Sequence, residues 1–192
     1  MSALIFRGND RRQTLSPHDR GLMYGDGLFE TLRASHGDLP WWRAHWRRLQ
    51  SGAGRIGLAL PDEGMIHAAA QELLDARPQV LKIVLTRGES GRGYLPVAGP
   101  ATCVLSTHPL PPRPAEPLRL HWCATAIAQQ PVLAGMKHLN RLENVLARRE
   151  CADTGHDEGL MRDGDGHVVC ATAANVFVYV GGQWHTPELS QS

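Results

Sequence analysis

Of the 20 basic residues in the chain, 18 are arginine and only two, Lys82 and Lys137, are lysine. Arginine therefore meets the general need for surface positive charge. A retained lysine then has a reason to be lysine, because an amine can lose its proton and attack carbon where a guanidinium cannot. Lys137 sits in Gly135-Met-Lys-His-Leu-Asn-Arg-Leu-Glu-Asn144, flanked by apolar residues at the junction of a predicted strand and a predicted helix. A lysine desolvated in such a place becomes a nucleophile or a Schiff-base former.

Three other segments have types and spacings that bear on chemistry. Tyr24-Gly-Asp-Gly-Leu-Phe-Glu-Thr31 reads as a tight turn into a strand. Arg87-Gly-Glu-Ser-Gly-Arg-Gly-Tyr94 joins glycine backbone N–H groups to two guanidinium forks, a combination suited to a carboxylate or phosphate. Gly52-Ala-Gly-Arg-Ile-Gly57 fits the dinucleotide fingerprint in letters only. That fingerprint needs a strand before it, and here the preceding residues read as a basic helix, so these glycines are expected to end that helix. Cys103, Cys123, Cys151 and Cys170 form no C-x-x-C pair and match no zinc spacing. The ten histidines include no H-E-x-x-H, and no metal site is expected.

The elements that must position these residues divide at Pro109–Pro117, where five prolines in nine residues read as a stiff connector. Residues 1–108 are expected to form a small α+β domain. Its strands are placed at 28–34, 80–87 and 102–107 and its helices at 43–55 and 62–76, with Asp62 as N-cap. Residues 118–192 are expected to form a β-rich part. It holds a strand at 118–126, a helix at 139–152 with Leu139, Leu142, Val145 and Leu146 as its apolar spacing, and strands at 158–162, 167–170, 175–180 and 183–186. Gly181-Gly182 marks a two-residue hairpin. One helix leaves a sheet face of this second part without a covering layer, so either a partner chain covers it or the domain is cut short. With 42% hydrophobic and 20% charged residues the chain is a globular composition. A net charge of +1 excludes strong non-specific attraction to nucleic acid or to an anionic membrane. No segment reaches the roughly 20 apolar residues of a membrane helix, and the first residues do not read as a signal peptide, so a cytoplasmic location is expected.

The order YGDGLFET, AHWRRL, LTRGESGRGY, GMKHLNRLENVLARRE and CATAANVF resembles the class IV pyridoxal-phosphate enzymes over nearly the whole length. These include branched-chain and D-amino acid aminotransferases and 4-amino-4-deoxychorismate lyase. RGESGRGY and KHLNRLENVL are most similar to the lyase branch. The resemblance implies a two-domain α+β fold of the D-amino acid aminotransferase type, here with the second domain cut short, and a homodimer. It implies pyridoxal 5'-phosphate as cofactor, Lys137 as the lysine that bonds to it and Arg48 as the residue holding its phosphate. It also implies conversion of aminodeoxychorismate to 4-aminobenzoate and pyruvate, with Lys137 as general base. Cys170 falls where the family has a glutamate facing the pyridine nitrogen. Two alternatives stand beside this reading: a branched-chain or D-amino acid aminotransferase, which would use the same lysine but keep the carbon skeleton, and a non-catalytic truncated paralogue.

Overall fold

The computed structural model describes residues 2–114 and 116–188. They fall into two compact units, one within 1–111 together with 136–139, the other within 112–135 and 140–192.

The first unit is built on a five-stranded antiparallel sheet. Its strands are β1 (Ala3–Arg7), β2 (Asp10–Arg12), β3 (Gly27–Ala34), β4 (Gln79–Thr86) and β5 (Thr102–Pro109), in the order β2-β1-β5-β4-β3. Alternation fixes which face is buried. On β3, Leu28, Glu30, Leu32 and Ala34 point to the core, and on β4 Leu81, Ile83 and Leu85 do the same. Against that face lies α2 (Trp42–Ile56) with Trp42, Trp46, Leu49, Gly52 and Ala53. The core is also lined by Ile66, Ala69 and Ala70 of α3 (Glu63–Leu73). Asp62 caps α3, its side chain accepting from the Met65 N–H at 2.8 Å. Gly52 and Gly54 lie inside α2, and Gly57 ends it in the left-handed region at φ 65°. The Gly52–Gly57 glycines are thus a helix terminus, as the sequence context requires.

Three elements escape the sequence reading: β1, β2 and the five-residue α1 (Arg20–Tyr24), which Asp19 caps. β1 and β2 are short, and two arginines fill most of β2. α1 has two turns of sequence at most and no periodicity to detect.

The segment Met136–Leu139 is not the start of the following helix. It lies along the free edge of β3: Phe29 N–H donates to the Lys137 carbonyl at 2.8 Å, Leu139 N–H to the Gly27 carbonyl at 3.0 Å, and Leu28 pairs with His138. Backbone amides committed to a strand edge cannot also begin a helix, so α4 runs from Leu142 to Asp153 rather than from 139.

In the second unit β6 (Leu120–Trp122), β7 (Glu158–Arg162) and β8 (Val168–Ala171) form one sheet, and β9 (Val178–Val180) with β10 (Gln183–His185) a separate hairpin. The predicted strand at 118–126 shrinks to β6, and that at 175–180 to β9. Gly181 and Gly182 turn the hairpin with φ of 58° and 83°, as two-residue hairpin turns require. The apolar spacing read for α4 points outward: Leu142, Val145 and Leu146 are exposed, while Ala147 and Cys151 are buried with Cys123 and Met161. Small side chains form the packed stripe because a glycine strand, β7 at Gly159, approaches there; a Cβ at 159 would overlap the sulfurs of both Cys123 and Cys151. Among the described residues no helix is long and apolar enough to cross a membrane.

Gly27 is where the edge pairing is most sensitive. A Cβ there would lie 2.4 Å from the Leu85 carbonyl oxygen, 2.8 Å from Leu139 Cδ1 and 3.0 Å from Thr86 Cα. Gly27→Ala is expected to cost about 1–3 kcal/mol, as overpacking does. The added methyl meets the β4 backbone as well as Leu139, so hydrogen exchange should accelerate at the Phe29 amide and across the β3–β4 ladder more than at Phe6 on β1.

Candidate active site

Lys137 and Arg48 are both anchored on β3, through adjacent residues. Phe29 and Glu30 point to opposite faces of the strand. Phe29 pairs with Lys137, whose Nζ stands 4.4 Å from the ring centroid. The other lysine, Lys82, approaches the same ring at 5.4 Å. The two lysines of the chain therefore share one aromatic neighbour, at distances where cation and ring quadrupole attract.

Glu30 is a carboxylate on the core face, 1% exposed. Arg48 binds it with both arms of a fork, Nε to Oε1 and Nη2 to Oε2, each at 2.7 Å. His45 Nδ1 lies 2.7 Å from Oε2. His45 and Arg48 are one turn apart on α2, so a single helix face supplies both partners. Burial pushes Glu30 up, but the hydrogen bonds and charges of Arg48 and His45 outweigh it and hold the carboxyl below its ordinary value. The same carboxylate raises Arg48. The Arg48 side chain remains 47% exposed. A fixed, half-exposed guanidinium is a site for an anionic oxygen. Glu30 escaped the sequence reading, although its place in YGDGLFET among core-facing positions is a usable signal. A carboxylate at the period of Leu28 and Leu32 must have cationic partners.

The Arg87–Tyr94 loop differs from its expected role. Arg87 is directed inward. Its Nε and Nη2 reach Asp26 at 2.8 and 3.1 Å, and its other bonds go to the carbonyls of Ile56 and Gly57. Asp26 also accepts from the buried Arg20 at 2.8 Å. Burial raises Asp26, and Arg87 and Arg20 outweigh it, leaving the carboxyl low. Arg20 extends further, to Ser90 Oγ and to the carbonyls of Gly93 and Tyr94. This pair of arginines on one carboxylate fixes the loop's shape; only Arg92 of the loop's two arginines is exposed. Arg20 had no sequence signal, since nothing in its neighbours distinguishes it from a surface arginine.

Cys170 belongs to the second unit. It is half-buried on β8, opposite Met161, and packs on the Cys123, Ala147, Cys151 and Met161 cluster. In the β7–β8 turn, Asp163, Asp165 and His167 bring ligand atoms within 4.8 Å of one another. Asp163 Oδ1 accepts the backbone N–H of Asp165 and His167, and Oδ2 the Gln129 amide at 2.9 Å, so this carboxylate closes a turn.

Residues 27–192 match the amino-transferase class IV family. The chain belongs to that family. Its members are enzymes that depend on pyridoxal phosphate. The 4-amino-4-deoxychorismate lyase of Pseudomonas aeruginosa has a crystal structure similar to this one, with a TM-score of 0.84 and 40% identity, covering 98% of this chain and 72% of that one. The aminodeoxychorismate lyase of Vibrio harveyi is 33% identical over 196 residues, 98% of this chain and 72% of its own. A putative branched-chain-amino-acid aminotransferase of Methanocaldococcus jannaschii is 31% identical over 192 residues, 66% of its length. Pyridoxal phosphate presents an aldehyde and a phosphate dianion, and Lys137 offers a primary amine and Arg48 an oriented guanidinium.

Glu30→Gln removes the charge that orders Arg48 and His45. It should destabilise the protein by about 1–3 kcal/mol at neutral pH, as for hydrogen bonds to charged groups. A carboxyl held low in the fold stabilises it above the ordinary carboxylate range, and that contribution is lost as pH falls through the lowered value. Urea unfolding of wild type and variant should therefore differ at pH 7, with the difference starting to shrink only as pH falls below the ordinary carboxylate range (~4.3) and vanishing below the lowered value.

Proposed function

We propose that the chain acts as a pyridoxal-phosphate-dependent lyase on 4-amino-4-deoxychorismate, releasing 4-aminobenzoate and pyruvate for folate synthesis, as a cytoplasmic homodimer. The observation that carries this reading is the 40% identity to the Pseudomonas aeruginosa lyase across 98% of the chain. The cofactor, when bound, supplies an electron sink. Lys137 would hold the cofactor covalently, and its amine would be the base that takes the proton from the ring carbon bearing the substrate's amino group. Arg48, aimed by Glu30, holds the phosphate. Cys170 takes the pyridine-nitrogen position assigned to it by the class IV motif.

A second reading, an aminotransferase, is favoured by the 31% identity to the Methanocaldococcus jannaschii relative. It uses the same anchor and base and differs in product: a keto acid and a new amino acid in place of pyruvate and 4-aminobenzoate.

The test is a titration of the purified chain with pyridoxal phosphate, followed by visible absorbance. Wild type should give a saturable band that Lys137→Ala lacks. Arg48→Gln should bind about 10- to 100-fold more weakly, the loss expected for a charge-assisted hydrogen bond. The loaded protein is then offered aminodeoxychorismate and, separately, an amino acid with a keto acid. 4-Aminobenzoate with pyruvate supports the lyase; transamination alone supports the second reading; no band at any concentration overturns both.

A further inference from the structure

Away from β3, the first unit has a cleft of about 650 Å³ between the start of α2 and the start of α3. Small-molecule sites span roughly 300–1,000 Å³. The walls combine aromatic and charged side chains: Trp41, Trp42, Arg43 and Arg47 on one side, Glu63 and His67 on the other. Trp42 joins the two sides. Its indole Nε1 donates to Glu63 Oε1 at 3.0 Å, the His67 ring meets it edge-on with centroids 4.7 Å apart, and Trp46 stacks on it at 5.5 Å. Trp42 is buried, so the floor of the cleft is fixed before anything enters. On the rim Trp41 is 71% exposed. An indole left in water beside a rigid aromatic floor has a face to offer to a planar ring.

Arg43 and Arg47 are one turn apart, so their guanidinium forks lie on the same side of α2. Both are exposed, and Arg47 Nε donates to the Arg43 carbonyl at 3.3 Å, which lays its stem along the helix. The ion pairs of α2 are those of His45 and Arg48 with Glu30. Among the described residues Arg43 and Arg47 make none, and they stay available to an anionic group. At 3.6 residues per turn, positions 43 and 47 lie roughly 150° around the helix from 45 and 48. The cleft therefore faces away from the guanidinium that Glu30 orients. Its charge also selects the anion. Two guanidinium groups stand against one carboxylate, Glu63, which already accepts from the Trp42 N–H. The net positive charge that remains suits a monoanion, whereas a phosphate dianion would bring a second negative charge against Glu63. Planar forks match a carboxylate by two-point hydrogen bonding. Asp62 already caps α3, so the anchor is the arginine pair and not the helix end.

We propose that the α2–α3 cleft binds an aromatic carboxylate, with its ring against Trp41 and its carboxylate held by Arg43 and Arg47. The inference stands without the proposed function, although 4-aminobenzoate is a member of the ligand class.

The test is isothermal titration calorimetry of the purified chain with benzoate, which has the ring and the carboxylate and no amine to react with pyridoxal phosphate. Benzamide, the ring without the charge, and cyclohexanecarboxylate, the charge without the aromatic ring, are titrated beside it. Benzoate should bind saturably, and each analogue about tenfold more weakly. Trp41→Ala should weaken benzoate about three- to tenfold, and Trp41→Phe should restore most of the affinity. Replacing both arginines, Arg43→Gln with Arg47→Gln, should cost about tenfold, as the loss of two exposed ion pairs does. All three side chains are exposed, so the variants should fold, which circular dichroism checks, and Trp41→Ala should keep the pyridoxal phosphate band. The three-ligand comparison uses wild type alone and decides the proposal even where a variant is unstable. No saturable binding of benzoate overturns it, as does equal affinity for benzamide or cyclohexanecarboxylate. Affinity retained in Trp41→Ala and in the double arginine variant overturns it too. Binding lost in Arg48→Gln but kept in the double variant places benzoate on Arg48 instead and overturns the cleft, leaving the cofactor reading untouched.

Discussion

A carboxylate buried on the core face of a central strand makes demands that the rest of the first unit must satisfy. Glu30 alternates with Leu28 and Leu32 on β3, and without partners its charge would oppose folding strongly. Arg48 and His45 meet it from one face of α2, which sets the rotation of that helix and its position along the strand. The same geometry aims the guanidinium. Packing and site are thus one arrangement: α2 cannot shift on the sheet without breaking a bidentate ion pair. On the reverse face of β3, one residue earlier, Phe29 receives the lysine.

Much of this was legible in the sequence because strong local patterns coincide with it. The spacing of Trp42, Trp46 and Leu49 marks α2, Asp62 caps α3, and the run Val80–Leu85 can only be a strand. Residue type singles out Lys137, and motif order singles out Arg48. What stayed hidden depends on contacts distant in sequence. The pairing of 136–139 with β3 joins residues more than a hundred positions apart, and its effect was to delay the start of α4. Arg20 is a buried structural cation, and its partner Asp26 is shared with Arg87, so an arginine that reads as a ligand contact is internal. In α4 the largest apolar residues are exposed and the small ones buried, because the close approach of β7 at Gly159 admits only small side chains.

The two arginine clusters show how one residue type serves different ends. Arg20 and Arg87 surround Asp26 and are largely enclosed, so they shape the loop that carries Arg92 and Tyr94. Arg48 is bound to Glu30 but half exposed, so it is oriented and still reachable. Exposure at fixed pairing, rather than pairing itself, separates a structural guanidinium from one suited to a ligand.

The strand-edge segment 136–139 also bears on how the chain is made. As the chain emerges N-terminus first, β3 is an unprotected sheet edge, with free N–H and C=O groups at Phe29 and Gly27, until residue 139 has been synthesised. The first unit is therefore not a contiguous stretch that closes on itself at the proline-rich connector. A chain ending at Pro117 would have all five strands and both long helices, yet it would leave that edge open to pairing with another molecule. Completion of the early unit waits on the later sequence, and the residues that complete it carry the lysine.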